Sequence, residues 1–282
     1  MITVPSGTTS SDNGNITLSY DLEFGRYEVT NGEFVDFLND VGVSSDGTYN
    51  GKELINIDLD NCQIGYDGGF YIKKWTDPYG NSIDLSNYPV INITWYGALV
   101  YCNWLSAQEG LEPAYDTTNW SLIDSPSVLE GYRLPIEKEW KYAVRGGADG
   151  FVTTYSGSNN LGDVGWFSDN SNIEGNSNLY NGKGTLPVGQ KKENELGIYD
   201  MSGNVMEWLN NADEDFPSER ILRGGGWNSG ASNCDIGVSF RASASIGLEN
   251  NGFRLVKTKN PNQAPVLKLN KTSEELIATL TG

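Results

Sequence analysis

The chain has 282 residues, enough for one large domain or two small ones, and its 8 Trp and 15 Tyr supply material for a substantial core. A formal net charge of −18 disfavours nucleic acid as a partner, because binding to phosphates requires a basic surface. The chain contains no histidine, which excludes Ser-His-Asp triads, Cys-His pairs and histidine-ligated zinc or iron within it.

The acidity, the cysteine count and the apolar stretches of the sequence do not identify the cellular compartment. An acidic surface serves solubility or a salty medium, and it also suits a set of cation sites. Three widely spaced cysteines, Cys62, Cys102 and Cys234, leave at least one thiol unpaired and do not make a disulfide framework. No stretch is long and apolar enough to span a bilayer, and the start of the chain carries no recognisable signal peptide. A cell surface or a virion is compatible with these features, but none of them identifies the location.

The first predicted element is a half-buried strand over residues 16–20, where apolar and polar side chains alternate. Thr30 and Glu33 then have the Thr-x-x-Glu spacing of a capping box, which predicts a helix over residues 31–39. Residues 40–90 are rich in Gly, Asn and Asp, a composition typical of turns and loops.

Two further helices are predicted in the first half of the chain. Thr94 caps the first of them, over residues 95–109, and Cys102 falls on its apolar face, where we expect a buried thiol. The second spans residues 136–144, because Pro135 suits the first turn of a helix. These elements leave most of the remaining chain to strands and loops.

Beyond residue 147 helical periodicity nearly vanishes, and Gly, Asn and Ser dominate. The sequence therefore predicts an α+β fold with few helices, short strands and long loops. Residues 1–257 are predicted to form the domain, and residues 258–282 a C-terminal tail or linker.

Four blocks of sequence follow one another in the chain: residues 27–31, residues 131–147, residues 186–208, and residues 222–227 continuing to residues 252–255. The third contains Gly-Asn-Val-Met-Glu-Trp, and the last contains Arg-Gly-Gly and Gly-Phe-Arg. In this order the blocks resemble the formylglycine-generating-enzyme (sulfatase-modifying factor) family over about residues 20–257. The resemblance implies a C-type lectin-like fold, in agreement with the predicted mixture of elements.

The resemblance also implies a reaction, the oxidation of a substrate cysteine with copper and oxygen, in which two cysteines hold the copper. The family's motif places these two ligands at Ser229 and Cys234, so only the second thiol is present. Thiolates suit Cu(I), whereas a hydroxyl is a poor ligand for it. We therefore expect no copper site and no activity of this kind, with Cys234 as a packing thiol. The alternative is an enzyme that acts on a protein cysteine or on an unknown substrate, using Cys234, tyrosines or carboxylates.

Residues 227–251 resemble the variable region of proteins diversified by retroelements, which often use this fold. Mutation of adenines in Asn codons scatters them to Ser, Gly, Asp, Ala, Ile, Val and Phe, and the segment has this mixture between its Arg-Gly-Gly and Gly-Phe-Arg frame. We predict a surface that binds a protein or a carbohydrate on a cell or a virus. Its predicted contacts are Trp227, Asn228, Ser229, Ala231, Ser232, Asp235, Ile236, Val238, Phe240, Ser243, Ser245, Ile246, Leu248 and Glu249.

Two interpretations stay open for the apolar members of this set. They are ligand contacts, or they are core residues, as the alternation of Ile236, Val238 and Phe240 along one strand face favours. Exposure is expected for the small and polar members, which are Ser229, Ala231, Ser232, Asp235, Ser243, Ser245 and Glu249. A purely structural module of a phage tail or a cell-surface assembly is a further alternative.

The third block implies, by the same resemblance, a structural Ca²⁺ site. Its ligands are the side chains of Asp200 and Glu207 and the backbone carbonyls of Gly203 and Val205. Such a mixture of oxygen atoms suits this hard cation. The alternative interpretation is a solvated turn that leads into a strand.

Overall fold

A computed structural model of the protein describes residues 1–11, 14–77, 79–172 and 182–261. This part of the chain contains two longer helices, two short ones, and strands of two to seven residues that are joined by long loops. The architecture is the predicted α+β mixture.

The helices are α1 (Asn31–Val41), α2 (Trp95–Gln108), α3 (Glu137–Ala143) and α4 (Leu161–Val164). The Thr30 amide donates to the Glu33 carboxylate at 2.8 Å, and the Thr30 hydroxyl accepts from the Glu33 amide at 3.4 Å, which confirms the capping box. Thr94 caps α2 by accepting from the Gly97 amide at 3.1 Å. The first three helices were predicted, whereas α4 is a single turn and too short for a periodic pattern.

The strands of the described residues are β1 (Ile2–Val4), β2 (Gly7–Thr9), β3 (Ile16–Leu18), β4 (Leu22–Phe24), β5 (Thr48–Tyr49), β6 (Lys52–Glu53), β7 (Ile64–Tyr66), β8 (Phe70–Ile72), β9 (Trp75–Thr76), β10 (Ser82–Ile83), β11 (Tyr115–Asp116), β12 (Ser121–Leu122), β13 (Met206–Ala212), β14 (Glu219–Arg223), β15 (Ser239–Ser243), β16 (Asn251–Gly252) and β17 (Val256–Thr258). Many of them form two-stranded hairpins, such as β11–β12 and β5–β6. One strand lies within the predicted residues 16–20.

The largest sheet has the order β15-β14-β13-β16. Its pairs are antiparallel except β13–β16, where Met206 lies beside Asn251 in a parallel register. A second sheet, β1-β4-β17, joins the start of the chain to its last described strand. Within the larger sheet β15 and β16 are the two edge strands, and residues 227–251 contain β15 and the first residue of β16.

The main hydrophobic core lies between α1, α2 and the larger sheet. Phe34 and Tyr101 stack at 5.8 Å between ring centroids, and Phe253 meets Tyr101 edge-on at 5.3 Å. Cys102 is fully buried in this core, as predicted. A second core lies under β1-β4-β17 and contains Trp140 of α3. These two cores hold the loops that carry the candidate site.

Two predictions concern the chain as a whole: the boundary between domain and tail, and the absence of a membrane-spanning stretch. The strand β17 ends at Thr258, and residues 262–282 lie outside the described part, so the boundary between domain and tail stays a prediction. In the described ranges, each helix is too short or too polar to span a membrane.

Candidate ligand-binding surface

The frame of the segment is fixed by glycines and a buried arginine. Gly224 and Gly225 adopt φ of +95° and +71°, a region that residues with a side chain rarely enter. A Cβ on Gly225 would lie 2.6 Å from the Cys234 Sγ. The guanidinium of Arg223 donates to the Ile236, Gly237 and Val238 carbonyls at 3.1–3.4 Å. Arg223 therefore holds the backbone of the turn at residues 236–238.

The two positions that match copper ligands contact adjacent glycines. The Ser229 hydroxyl accepts from the Gly226 amide at 3.0 Å, and the Cys234 thiol packs against Gly225. Cys234 is fully buried beside Leu161, and burial raises the pKa of its thiol to about 12. This position has the surroundings of a packing thiol.

The other two thiols lie elsewhere. Cys62 and Cys102 belong to the main core, whereas Cys234 belongs to a small cluster of its own with Leu161 and Val164. All three cysteines are buried and free. The structure therefore brings no second sulfur to Cys234.

The predicted contact residues divide into three groups. Trp227, Ser229 and Ile236 are buried; Asn228, Ser232, Ser245 and Ile246 are exposed; and Ala231, Asp235, Val238, Phe240, Ser243, Leu248 and Glu249 are half-buried. The expected exposure of Ser229 is wrong, because its hydroxyl turns inward to Gly226.

The apolar residues do not share one role. Ile236 is a core residue, because it precedes β15, packs in the second core and donates its amide to the Thr154 carbonyl at 3.1 Å. Phe240 packs partly against the main core from β15. Ile246, in contrast, is 48% exposed and is available to a ligand. The alternation of residues 236–240 therefore does not describe one strand face.

Four polar residues form one continuous hydrogen-bonded patch, which we call the amide surface: Asn61, Asn228, Glu249 and Asn250. The Glu249 carboxylate accepts from the side-chain amide of Asn61 at 2.8 Å and from the side-chain amide of Asn228 at 3.3 Å. The Asn250 side-chain amide donates to the Asn228 Oδ1 at 2.8 Å. The patch thus joins the predicted segment to a loop 188 positions away in sequence.

A buried asparagine lies under this patch. Asn92 donates from its side chain to the Asn61 Oδ1 at 3.3 Å, and its own Oδ1 has no hydrogen-bond partner within the part of the chain that the structure describes. The backbone amide of Asn92 donates to the Leu248 carbonyl, and its backbone carbonyl accepts from the Asn56 amide. Sequence reasoning missed Asn61 and Asn92, because nothing local marks an asparagine that meets a distant loop. Apolar side chains, Leu59 and Ile246, are exposed on the two loops that carry the patch.

The residues of the implied calcium site surround a buried ion pair. Oε1 of Glu207 accepts from Nε and Nη2 of Arg254 at 2.7 and 2.6 Å, and Oε2 accepts from the Trp140 indole at 2.7 Å. The turn that carries Gly203 and Val205 is buried, so the alternative of a solvated turn is wrong. Glu207 is therefore already engaged within the protein.

The same cluster nevertheless holds more carboxylates than cations. Burial and the charge of Asp200 raise the pKa of Glu28 well above its usual value, and burial raises the pKa of Asp200 to about 6. Oδ2 of Asp200 accepts from the Gly189 amide at 2.7 Å, whereas Oδ1 is buried and has no hydrogen-bond partner among the described residues. The described residues contain no group of three or more carboxylates or thiols placed to hold a metal ion. Glu207 is committed to Arg254, which leaves Asp200 Oδ1 as the carboxylate oxygen that a cation could reach.

Comparison with known proteins agrees with this geometry. Residues 1–259 match the sulfatase-modifying factor enzyme 1-like domain. The chain is 34% identical to the chaperone protein LppX of Paenibacillus barcinonensis, over 88% of this chain and 93% of that protein. It is 29% identical to the inactive C-alpha-formylglycine-generating enzyme 2 of Bos taurus, over 54% of this chain and 44% of that protein.

A solved structure gives the same result for the fold. Treponema denticola variable protein 1 superposes with a TM-score of 0.63 and 25% identity, over 92% of this chain and 95% of that one. The match confirms the C-type lectin-like fold and the resemblance found in the four sequence blocks. The chain therefore belongs to the sulfatase-modifying factor enzyme 1-like domain family.

Proposed function

We propose that the chain binds a ligand through the amide surface and the exposed positions next to it, and does not oxidise cysteine. The observation that carries this proposal is the pair Ser229 and Cys234. The serine hydroxyl is turned inward to a backbone amide, and the only thiol at the site is buried. Soft-metal chemistry lacks its second sulfur there, while the neighbouring patch presents polar groups to solvent.

The chemistry of the patch suits a protein or a carbohydrate, on a cell or a virus. Side-chain amides both donate and accept hydrogen bonds, and Glu249 adds a charged acceptor. Ile246 and Leu59 add apolar area at 48% and 37% exposure. Small polar groups around exposed apolar ones are typical of surfaces that adapt to different ligands.

A binding surface on a rigid frame should tolerate substitution where a core does not. We expect Ser232→Ala, Ser245→Ala and Ile246→Ser each to change the free energy of unfolding by less than about 0.5 kcal/mol. Trp227→Ala, at a buried position whose indole donates to the Glu249 carbonyl at 2.9 Å, should lower it by about 3–5 kcal/mol. Urea unfolding of the four variants measures this difference. Equal losses at all four positions would mean that the segment is structural throughout.

We also propose that a retroelement diversifies residues 227–251. Support comes from the similarity to a variable protein and from the mixture of residues that adenine mutation produces. Deep sequencing of the native locus tests it. Substitutions at adenines that are confined to this segment support the proposal, and uniform codons across it remove the retroelement from the account.

A chaperone role is the second candidate, because LppX is 34% identical over nearly the full length of both chains. A chaperone would use the same surface for a client protein. Light scattering of a chemically denatured model protein, with and without the chain, separates the two roles. If the chain suppresses aggregation and the Ile246→Ser and Asn228→Ala variants do not, the result favours the chaperone role. If aggregation is unchanged by the chain, the result favours binding of a folded ligand.

We further propose that Ca²⁺ binds at Asp200, where a buried carboxylate oxygen has no partner in the described ranges, with the Gly203 and Val205 carbonyls as further ligands and without Glu207, which Arg254 engages. At a concentration of 100 times Kd, Ca²⁺ should add about 2.7 kcal/mol to the free energy of unfolding. Calorimetry and thermal melting, with Mg²⁺ as the matched ion and a chelator to reverse the effect, provide the measurement. Asp200→Ala should abolish the response. A protein that gives neither heat nor a shift in Tm has no such site.

A further inference from the structure

Two aromatic rings and a lysine meet at a corner outside the predicted segment, which we call the aromatic corner: Lys52, Tyr96 and Trp120. The ring centroids of Tyr96 and Trp120 are 4.8 Å apart, with an angle of 69° between the planes. The Lys52 Nζ lies 4.5 Å from the Tyr96 centroid and 6.0 Å from that of Trp120. All three side chains are half-exposed, so solvent reaches the corner.

The corner is assembled from three separate parts of the chain. Lys52 comes from β6, Tyr96 from the first turn of α2, and Trp120 from the loop of the β11–β12 hairpin. The helix start is anchored because the Trp95 amide donates to the Ala244 carbonyl at 3.1 Å. The corner is therefore a fixed feature that depends on the fold, and no single segment encodes it.

Trp120 holds an unfavourable backbone conformation. Its φ is +60°, a region that costs a bulky residue roughly 1–2 kcal/mol and that Gly, Asn and Asp enter more easily. Its amide donates to the Asp116 carbonyl at 2.8 Å, which closes the turn. Such strain persists where the rest of the structure enforces it, and it is concentrated at functional sites. Glycine or asparagine would relieve the strain, but either would remove the ring.

The Lys52 ammonium has no carboxylate partner within 4.0 Å among the described residues. The Lys52 ammonium instead contacts the Tyr96 and Trp120 rings, which attract a cation through their negative faces. An ammonium held only in this way is easily displaced, because a lysine head group is strongly hydrated and regains water when it leaves. The aromatic corner thus already holds a cationic group against its two rings.

We propose that the aromatic corner binds a quaternary ammonium group, which takes the place of the Lys52 ammonium. A quaternary group carries methyl groups that pack on both rings, and aromatic walls are the usual protein site for it. The net charge of −18 attracts cations over a longer range. This site is independent of the amide surface and of the ligand proposed there.

Saturation-transfer NMR with choline as the probe tests the proposal on the full chain. We expect transfer to the N-methyl protons, and none to 3,3-dimethyl-1-butanol, which has the same shape without the charge. Trp120→Asn, whose side chain tolerates the positive φ, should weaken choline binding about tenfold. Lys52→Met should strengthen it, since the competing ammonium is gone, and Lys138→Met on the exposed side of α3 should leave it unchanged.

The outcomes separate cleanly. Equal binding of choline and the neutral alcohol, or weaker binding by Lys52→Met, overturns the proposal even if Trp120→Asn fails to fold. Sedimentation with phosphatidylcholine vesicles then distinguishes the source of the group. Vesicle binding that is lost in Trp120→Asn assigns a lipid head group, and choline binding without vesicle binding assigns a free ion.

Discussion

Replacing Arg254 with methionine is expected to lower the free energy of unfolding by about 3–5 kcal/mol. The substitution keeps most of the volume but removes the cation that faces Glu207 inside the core. It also frees the Gly25 and Tyr199 carbonyls, which accept from the guanidinium at 3.0 and 2.9 Å. Breaking a buried pair from one side is costly because the remaining charge has no water to replace its partner.

The surrounding charges make this cost larger. Glu28 and Asp200 lie in the same buried cluster, so Arg254→Met leaves three carboxylates and removes the guanidinium that faces them. Urea unfolding at pH 7 gives the measurement. Added Glu207→Gln should recover part of the loss, because the two effects are coupled.

A surface pair provides the matched control. Arg241 lies 2.9 Å from the Glu219 carboxylate, but its side chain is 46% exposed. Arg241→Met should therefore change the free energy of unfolding by no more than about 1 kcal/mol. Similar losses for Arg254→Met and Arg241→Met would show that the buried cluster does not stabilise the fold as described.

Replacing Ser229 with cysteine is expected to create a Cu(I) site in a protein that otherwise retains none. The Ser229 hydroxyl contacts the Gly226 amide and the Cys234 thiol lies against Gly225, so a sulfur at position 229 and the Cys234 sulfur would border two adjacent glycines. Coordination deprotonates a thiol outright and so overcomes the raised pKa of Cys234. We expect about one equivalent of copper in Ser229→Cys after dialysis, measured by metal analysis.

Two variants separate this site from adventitious binding. Ser232→Cys places a thiol at an exposed position three residues on and should retain no copper, and Ser229→Cys with Cys234→Ala should lose it again. Oxygen consumption with a cysteine peptide and copper should stay at the protein-free rate for the unmodified chain. Copper held by the unmodified chain through Cys234 would restore the enzyme interpretation.

Local signals in the sequence predict the helices and the frame. Thr30 with Glu33 and Thr94 mark helix starts because a side-chain oxygen meets an amide two or three residues away. The Arg-Gly-Gly motif is readable because glycine adopts the positive φ of Gly224 and Gly225 without strain, and Gly252 of the Gly-Phe-Arg motif because a Cβ there would lie 2.7 Å from the Val90 carbonyl oxygen. Such features depend on near neighbours, and the structure confirms them.

Other features depend on partners that the sequence does not indicate. In β13 the buried Glu207 interrupts the alternation expected of a strand, and its partner Arg254 lies 47 residues further on. The amide surface needs Asn61 to meet Glu249, and the aromatic corner needs β6, the start of α2 and the β11–β12 loop to meet. The burial of Ser229 likewise follows from one amide at Gly226, which a composition argument does not see.

The contact between Arg223 and residues 236–238 has a consequence for evolution. A guanidinium from the neighbouring strand holds these backbone oxygens, so the path of the turn beyond the core residue Ile236 does not depend on the side chains at positions 237 and 238. Changes at those two positions alter what the turn presents while leaving its shape in place. Genetic drift there carries little risk to folding, an advantage that an engineered library would inherit.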